Sequence, residues 1–425
     1  MRNRCRRVVL SSMLIDLVNA GITWAQSGSV RLIKTVDPIG YSGDVPTWKC
    51  QSTNPACLLI QILCIAFIFL GSVSAFGQPP QGVVAPSENL STQALTLEQR
   101  ALDGLRPYQP QEQVSGTIRL WGHGAPVLDF MGMLVKSWEE GFQRVQPGVK
   151  FEYDMYGTAS AMGALYAGKG DIAILGQEIY PFETAAFEQV KHYPPLGIEI
   201  ATGSVDVRNF DFAIGVFVNK KNPLSQMTVD QIDKVFAWHE GGKAANIETW
   251  GQLGLTGEWA DKPIHLYGWY ESDIFSTFVE HAALHDSHQW RCGMKQYAHI
   301  HRPDGTIYDS GQQILDDLSN DPYGIALSNV RYLNKRDAVK PLALGRTDAG
   351  PFYQATKETL INREYPLGRI IPAEIDRVPG QPVDPKVREF LRYILSREGQ
   401  GDIVRNGKYL PMQPEAAERE RKKLD

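Results

Sequence analysis

Three glycine-led turns are the parts of this sequence best suited to chemistry, and the chemistry they suit is anion binding. Gly124-Ala125, Gly157-Thr158-Ala159 and Gly176-Gln177 each come shortly before a stretch with helical character. The first backbone N–H groups of a helix have no partner within the helix, and they carry a partial positive charge. Several helix starts directed at one point would therefore hold an oxyanion, and glycine lets the backbone approach it closely.

A second group has side chains of the kind that bind metals. Its members are Glu280, His281, His285 and His288. His281 and His285 are four residues apart, so they would share one face of a helix. That spacing alone is common, however, and the sequence contains no HExxH motif. We expect solvated histidines at the end of a helix, and neither a metal nor a cofactor.

Signatures of catalysis and of nucleic-acid binding are lacking in the sequence. We find no nucleophile elbow and no P-loop, and Gly122-His123-Gly124 lacks the third glycine of a dinucleotide-binding turn. The formal net charge is -5 and no long basic run occurs, whereas binding to a phosphate backbone needs clustered positive charge. The sequence therefore indicates a protein that is not an enzyme and does not bind nucleic acid.

The elements that must position the turns alternate between strand and helix. Apolar residues predict strands over residues 116–121, 149–153 and 171–175, and helices over 128–142 and 181–191. Strand, glycine-rich turn and helix in repeated order are typical of an α/β protein with a parallel sheet.

Two later segments indicate a second lobe. Residues 212–219 form a continuous apolar strand, and residues 365–371 form a candidate for a matching strand. Another α/β region lies between them, and a helix is predicted over 384–397, ended by Gly399. This order predicts an α/β fold of two lobes joined by two crossing strands. The expected boundaries are 114–212 plus 366–425 for lobe one and 213–365 for lobe two.

The N-terminal region predicts export. An apolar run over residues 57–73 is followed by Val73-Ser74-Ala75, a small-residue pattern of the kind signal peptidase cleaves. We therefore predict that residues 1–75 are an extension and a signal peptide ending near Ala75, which gives a periplasmic or secreted protein. The alternative is an anchor formed by residues 57–74. Residues 76–113 are rich in Pro, Gln, Ser and Gly, and they predict a linker.

A series of motifs in one order resembles a known family. The motifs include Gly122-His123-Gly124-Ala125, Gly157-Thr158-Ala159-Ser160, Gly170-Asp171-Ile172-Ala173, Asn219-Lys220-Lys221-Asn222-Pro223-Leu224 and Tyr365-Pro366-Leu367. They resemble the phosphate-binding proteins of ABC importers, and the resemblance extends from about Thr117 to Pro411. It implies a type II periplasmic-binding fold that holds its ligand between the lobes. It also implies an ABC permease in the inner membrane as partner and a monomeric binding protein.

The sequence departs from that family at the expected ligand contacts. The family's second lobe supplies an arginine followed by Ser-Gly-Thr, but here Trp269 falls at the arginine and only Ser272 of the triplet remains, since Asp273 and Ile274 follow it. Gly176 stands where lobe one of the family has an aspartate, and Glu178 could replace it as a proton acceptor. Nothing in the sequence replaces the arginine, a contact worth roughly 1.5–3 kcal/mol, or about ten- to a hundredfold in affinity.

Two hypotheses for function follow from this pattern. The first is an extracytoplasmic solute-binding protein of a phosphate-type ABC transport system that captures a small oxyanion, with phosphate as the first candidate. The alternative is a non-transport binding or scaffold protein that keeps the fold but has lost the phosphate site. The predicted ligand contacts are Gly124, Ala125, Thr158, Ala159, Gly176, Gln177, Glu178, Tyr270 and Ser272. Whether Trp269 and Tyr270 face the cleft is left open by the sequence.

Overall fold

A computed structural model describes most of the chain after residue 96. The described residues are 97–122, 130–155, 157–205, 213–239, 246–285, 289–335, 337–406 and 408–425. The predicted signal peptide lies outside these ranges. Among the residues that the structure describes, no helix combines the length and the apolar character needed to cross a membrane.

The first lobe is built on a five-stranded sheet. Its strands, in spatial order, are β2 (Gly148–Asp154), β1 (Ser115–Gly122), β3 (Ile172–Ile174), β15 (Ile370–Ile375) and β4 (Leu196–Thr202). Strand β1 is parallel to β2 and β3, whereas β15 is antiparallel to β3 and β4. Parallel neighbours need a crossover connection, and helices make these crossovers here.

The described helices in the first part of this lobe are α1 (residues 97–103), α2 (Phe130–Gln143), α3 (Thr158–Tyr166) and α4 (Pro181–Lys191). Helices α2 and α4 follow the predicted apolar spacing, whereas α1 lies in the segment predicted as a linker. The apolar side chains of α2 that recur at three- and four-residue spacing are buried, namely Met131, Leu134, Val135, Trp138 and Phe142. Burial of this stripe against the sheet fixes the helix, as expected for an amphipathic element.

The second lobe has its own five-stranded sheet. The strands, in spatial order, are β12 (Val339–Pro341), β5 (Ile214–Asn219), β11 (Gly324–Asn329), β7 (His265–Trp269) and β8 (Lys295–Tyr297). The helices are α5 (Val229–Phe236), α6 (Ile274–Ala283), α7 (Ser310–Leu318) and α8 (Lys357–Ile361). Smaller sheets are formed by β14 (Phe352–Tyr353), β13 (Ala343–Gly345) and β6 (Gln226–Thr228), and by β9 (Ile300–His301) and β10 (Ile307–Tyr308).

The chain crosses from the first lobe to the second after β4 and returns at β15. The sequence predicts the return strand over residues 365–371, whereas in the structure it spans Ile370–Ile375. Residues 365–368 instead form a turn closed by the Gly368 N–H, which donates to the Tyr365 carbonyl at 3.1 Å. The Tyr365 hydroxyl donates to the Ile214 carbonyl at 2.8 Å and so ties the return segment to β5.

Three helices complete the chain, and they correct the predicted C-terminal helix. They are α9 (Pro385–Ile394), α10 (Arg397–Asn406) and α11 (Pro414–Lys422). Gly399 lies inside α10 and ends no helix. A Cβ atom at Gly399 would lie 2.3 Å from the Tyr393 carbonyl oxygen, so glycine is needed for the close approach of α10 to the end of α9.

The predicted linker is wrong for residues 97–113, because this segment packs on the folded body. Leu102 and Leu105 are buried in the core. The Tyr108 hydroxyl donates to Glu389 at 2.8 Å, and the Arg397 Nε donates to the Leu105 carbonyl at 3.2 Å. The Pro- and Gln-rich composition of the whole segment hid a few apolar residues that suffice to fix its C-terminal part.

Candidate ligand-binding site

Two of the three predicted anion-binding turns lie side by side. The Gly176 N–H donates to the Thr158 hydroxyl oxygen at 3.3 Å. Thr158 opens α3, with the backbone of Ala159 in its first turn, and Gly176 comes just after β3. The neighbouring Gln177 amide donates to Glu183 at 3.4 Å. The structure therefore brings these two turns together, whereas Gly124 and Ala125 lie outside the described residues.

Glu178 is bound by an arginine that the sequence did not indicate as a site residue. The Arg369 guanidinium donates to Glu178 Oε2 from Nη2 at 2.7 Å and from Nε at 3.1 Å, and the Ile370 N–H donates to Oε1 at 3.0 Å. The Arg369 side chain is 2% exposed and the Glu178 side chain 15% exposed. Such a paired fork on a carboxylate fixes the orientation of both groups.

The same guanidinium reaches the second lobe. The Arg369 guanidinium carbon lies 4.8 Å from the centroid of the Phe278 ring and 5.7 Å from that of Phe275. Both rings belong to α6, so Arg369 lies between an acidic residue of lobe one and two aromatic residues of lobe two. The sequence offered no replacement for the family arginine. The structure supplies a guanidinium at the lobe interface from a residue 191 positions away from Glu178.

The second-lobe segment predicted to bind ligand contains both buried and exposed residues. Trp269 is 1% exposed and packs on Phe275 with ring centroids 5.2 Å apart, so it is a core residue. Tyr270 is 52% exposed, and Ser272 is exposed beside it. The Asp273 carboxylate accepts the Phe275 N–H at 2.9 Å and thereby caps α6. Burial raises the pKa of Asp273, while His299 and Arg369 oppose that rise.

His281 joins the two lobes and is not solvated as predicted. Its ring stacks on that of Tyr180, with centroids 4.3 Å apart and planes 10° apart. Tyr180 caps α4 in lobe one, and His281 belongs to α6 in lobe two. Glu280 accepts the Trp290 indole N–H at 2.5 Å. Among the described residues, which exclude His288, no group of three His, Cys, Asp or Glu side chains is placed to hold a metal ion.

Comparison with known proteins identifies the family. Residues 127–398 match the family model described as a PBP superfamily domain. The phosphate-binding protein PstS of Pseudomonas aeruginosa is 30% identical over 327 residues, which cover 76% of this chain and 92% of that protein.

The chain also matches solved structures of proteins from two bacteria. One is described as a possible phosphate-binding protein from Planctomyces limnophilus, with 19% identity, 73% of this chain and 98% of that chain covered, and a TM-score of 0.42. The other is PstS from Borrelia burgdorferi, with 15% identity, 71% and 99% covered, and a TM-score of 0.45. From the family model and the P. aeruginosa relative, this chain belongs to the PBP superfamily and, within it, to the PstS family of phosphate-binding proteins.

Proposed function

We propose that this protein is the extracytoplasmic solute-binding component of a phosphate-type ABC transport system. It captures a small oxyanion between its lobes, phosphate being the first candidate, and delivers it to a membrane permease. The observation that carries this proposal is the 30% identity to PstS of P. aeruginosa over 92% of that protein. Export through the predicted signal peptide and action as a monomer belong to the same proposal.

As part of this proposal, we assign the ligand three kinds of interaction among the described residues. The start of α3 provides backbone N–H groups, and the Thr158 hydroxyl, which accepts from Gly176, keeps its own hydrogen for donation. Ser272 and Tyr270 provide exposed hydroxyls from lobe two. Arg369 provides positive charge between the lobes, held in orientation by Glu178. Because Glu178 balances that charge, the site favours an oxyanion of low charge over a dianion.

Titration calorimetry with inorganic phosphate on the purified protein tests this function. We expect Thr158→Val to weaken binding about two- to twelvefold, because one neutral hydrogen bond is worth about 0.5–1.5 kcal/mol. The matched control is Thr306→Val, since the Thr306 hydroxyl donates only to Asp304 in an exposed turn of lobe two. A folded wild-type protein that gives no heat with phosphate would remove phosphate as the ligand.

A second candidate function rests on the Glu178–Arg369 ion pair. The Glu178 carboxylate occupies the guanidinium fork as a bound oxyanion would, with 2.7 and 3.1 Å contacts. A protein with such an internal substitute could keep the fold as a non-transport binding or scaffold protein. The same calorimetry separates the two candidates, because phosphate binding by the wild type excludes loss of the anion site.

A further inference from the structure

A cavity of about 410 Å³ lies on lobe one, between the segment 106–111 and the C-terminal helices. Its polar wall consists of Arg106, Gln109, Gln111, Arg392 and Arg421, and two prolines complete it. The wall thus holds three guanidinium groups and, among the residues that the structure describes there, no carboxylate. None of these residues belongs to the candidate site between the lobes.

Arg421 has a buried nitrogen that the rest of the described chain leaves unsatisfied. Its side chain is 11% exposed, and its nearest ionic contact joins Nε to Glu418 at 3.9 Å. The Arg421 Nη1 is buried without a hydrogen-bond partner among the described residues. A buried polar group without a partner is costly and is rarely found in folded proteins. Burial, together with the charges of Arg392 and Arg106, also lowers the pKa of Arg421.

The other two arginines direct positive charge to the same cavity. Arg392 is 7% exposed, and its Nη1 donates to Asp425 at 3.1 Å. When the Gln111 side-chain amide is oriented with its oxygen toward Arg392, that oxygen accepts from Arg392 Nη2 at 3.0 Å and from Nη1 at 3.2 Å. The Arg106 side chain is 69% exposed and pairs with Glu418 at 3.3 Å. Arg106 and Arg421 also line an adjoining cavity of about 270 Å³.

We propose that the arginine cavity is a second binding site, for a small anion that carries at least two oxyanion groups. Its volume falls within the range of roughly 300–1,000 Å³ typical of small-molecule sites. The three guanidiniums carry more positive charge than a singly charged anion would balance. Planar guanidinium forks match the paired oxygens of phosphoryl and carboxylate groups. Glu418, Glu389 and Asp425 engage only some of the N–H groups of these three arginines. This ligand would supply oxygen acceptors for the guanidinium N–H groups that face the cavity.

Titration calorimetry on the full-length protein at low ionic strength tests the proposal, with inorganic pyrophosphate in one arm and citrate in the other. We expect Arg106→Gln and Arg421→Gln each to weaken binding about tenfold or more, the loss typical of one charge-assisted contact. Arg302→Gln is the matched control, because Arg302 is exposed and packs on Tyr308 in lobe two. Thr158→Val, in the candidate site between the lobes, should leave binding of these two probes unchanged.

The outcomes separate the proposal from the transport function. Binding of either probe that depends on Arg106 and Arg421 supports the site, and the probe that binds identifies phosphoryl or carboxylate chemistry. No heat from either probe with the wild type overturns it, as does equal binding by wild type, Arg106→Gln and Arg421→Gln. Thermal melting checks that Arg421→Gln is folded, and the exposed Arg106 provides the variant in which folding is not at issue.

Discussion

At the scale of single residues, Arg369 and Glu178 form a buried ion pair at the interface between the lobes. A guanidinium that is 2% exposed needs a fixed counter-charge, and Glu178 provides it through contacts at 2.7 and 3.1 Å. Desolvation makes such a pair a small net contributor to stability, yet removal of one partner leaves an uncompensated buried charge. The pair therefore sets orientation at the lobe interface more than it adds to the free energy of unfolding.

Loss of both partners should be less harmful than the two single losses added together. We expect Arg369→Gln and Glu178→Gln each to lower the free energy of unfolding by about 3–5 kcal/mol. The double variant should lower the free energy of unfolding by clearly less than the sum of the two single variants. In the double variant neither buried charge remains without its partner. Chemical denaturation measures all three variants.

The control is Lys234→Gln, since Lys234 pairs with Asp230 on an exposed face of α5. An exposed pair of this kind is worth about 0–1 kcal/mol. If Arg369→Gln cost no more than this control, the Glu178–Arg369 pair would have no special role in the fold.

At the scale of elements, β15 carries an acidic residue in the middle of the first sheet. Glu374 is 2% exposed, between neighbours Ala173 and Gly197 on the flanking strands. A Cβ atom at Gly197 would lie 2.7 Å from a Glu374 carboxyl oxygen, so glycine leaves the room that this side chain occupies. Burial raises the pKa of Glu374 to about 8, although Lys423 opposes the rise.

This raised pKa predicts a loss of stability as pH rises. The folded protein holds the Glu374 proton up to about pH 8, whereas the unfolded chain releases it near pH 4.5. The folded state therefore binds more protons in that window, and the free energy of unfolding falls by up to about 1.4 kcal/mol per pH unit. Glu374→Gln should remove this contribution to the slope of the unfolding free energy against pH, as measured by chemical denaturation from pH 5 to pH 8.

Glu152→Gln, on the exposed face of β2, is the matched control and should keep the slope of the wild type. An identical slope for wild type and Glu374→Gln would show that Glu374 is ionised in the folded protein at neutral pH.

At the scale of the whole molecule, aromatic contacts join the lobes. Tyr180 of lobe one stacks on His281 of lobe two at 4.3 Å, and Arg369 lies over Phe278 at 4.8 Å. Contacts of this kind exist only when the lobes are together. They therefore stabilise the closed arrangement, which is also the arrangement that would surround a ligand.

Weakening the Tyr180–His281 stack should favour an open arrangement. A stacked aromatic pair is worth about 0.5–1.5 kcal/mol, so Tyr180→Ala should weaken ligand binding by about two- to twelvefold although Tyr180 is not among the predicted ligand contacts. In small-angle X-ray scattering, the ligand-free variant should show a larger radius of gyration than the wild type. His281→Ala should give the same result.

Tyr153→Ala is the control, because the Tyr153 ring stacks on Phe151 and its hydroxyl donates to Glu139, both of which belong to lobe one. Unchanged scattering by both Tyr180→Ala and His281→Ala would mean that the stack does not hold the lobes together.

The alternating elements and the family can both be predicted from the order of residues along the chain. The apolar spacing of α2, the proline start of α4 at Pro181 and the strand at β5 follow from contacts between residues a few positions apart, which the sequence displays directly. The motifs that resemble the PstS family are also visible in the sequence, because each one is a turn or helix start made of neighbouring residues. The packing of the segment 97–113 could not be predicted in this way, because its partners lie in α9 and α10, far along the chain.

Which distant side chains contact one another depends on the packing of whole elements. Glu178 and Arg369 are 191 residues apart, and Arg106 and Arg421 line one cavity only because the C-terminal helix packs beside the segment 106–111. Trp269 looked like a replaced ligand contact, but the strand that carries it turns its ring into the core against Phe275. The local spacing of apolar residues predicts helices and strands. The pairing of distant charged residues depends on how whole elements pack, and no periodicity in the sequence predicts that pairing.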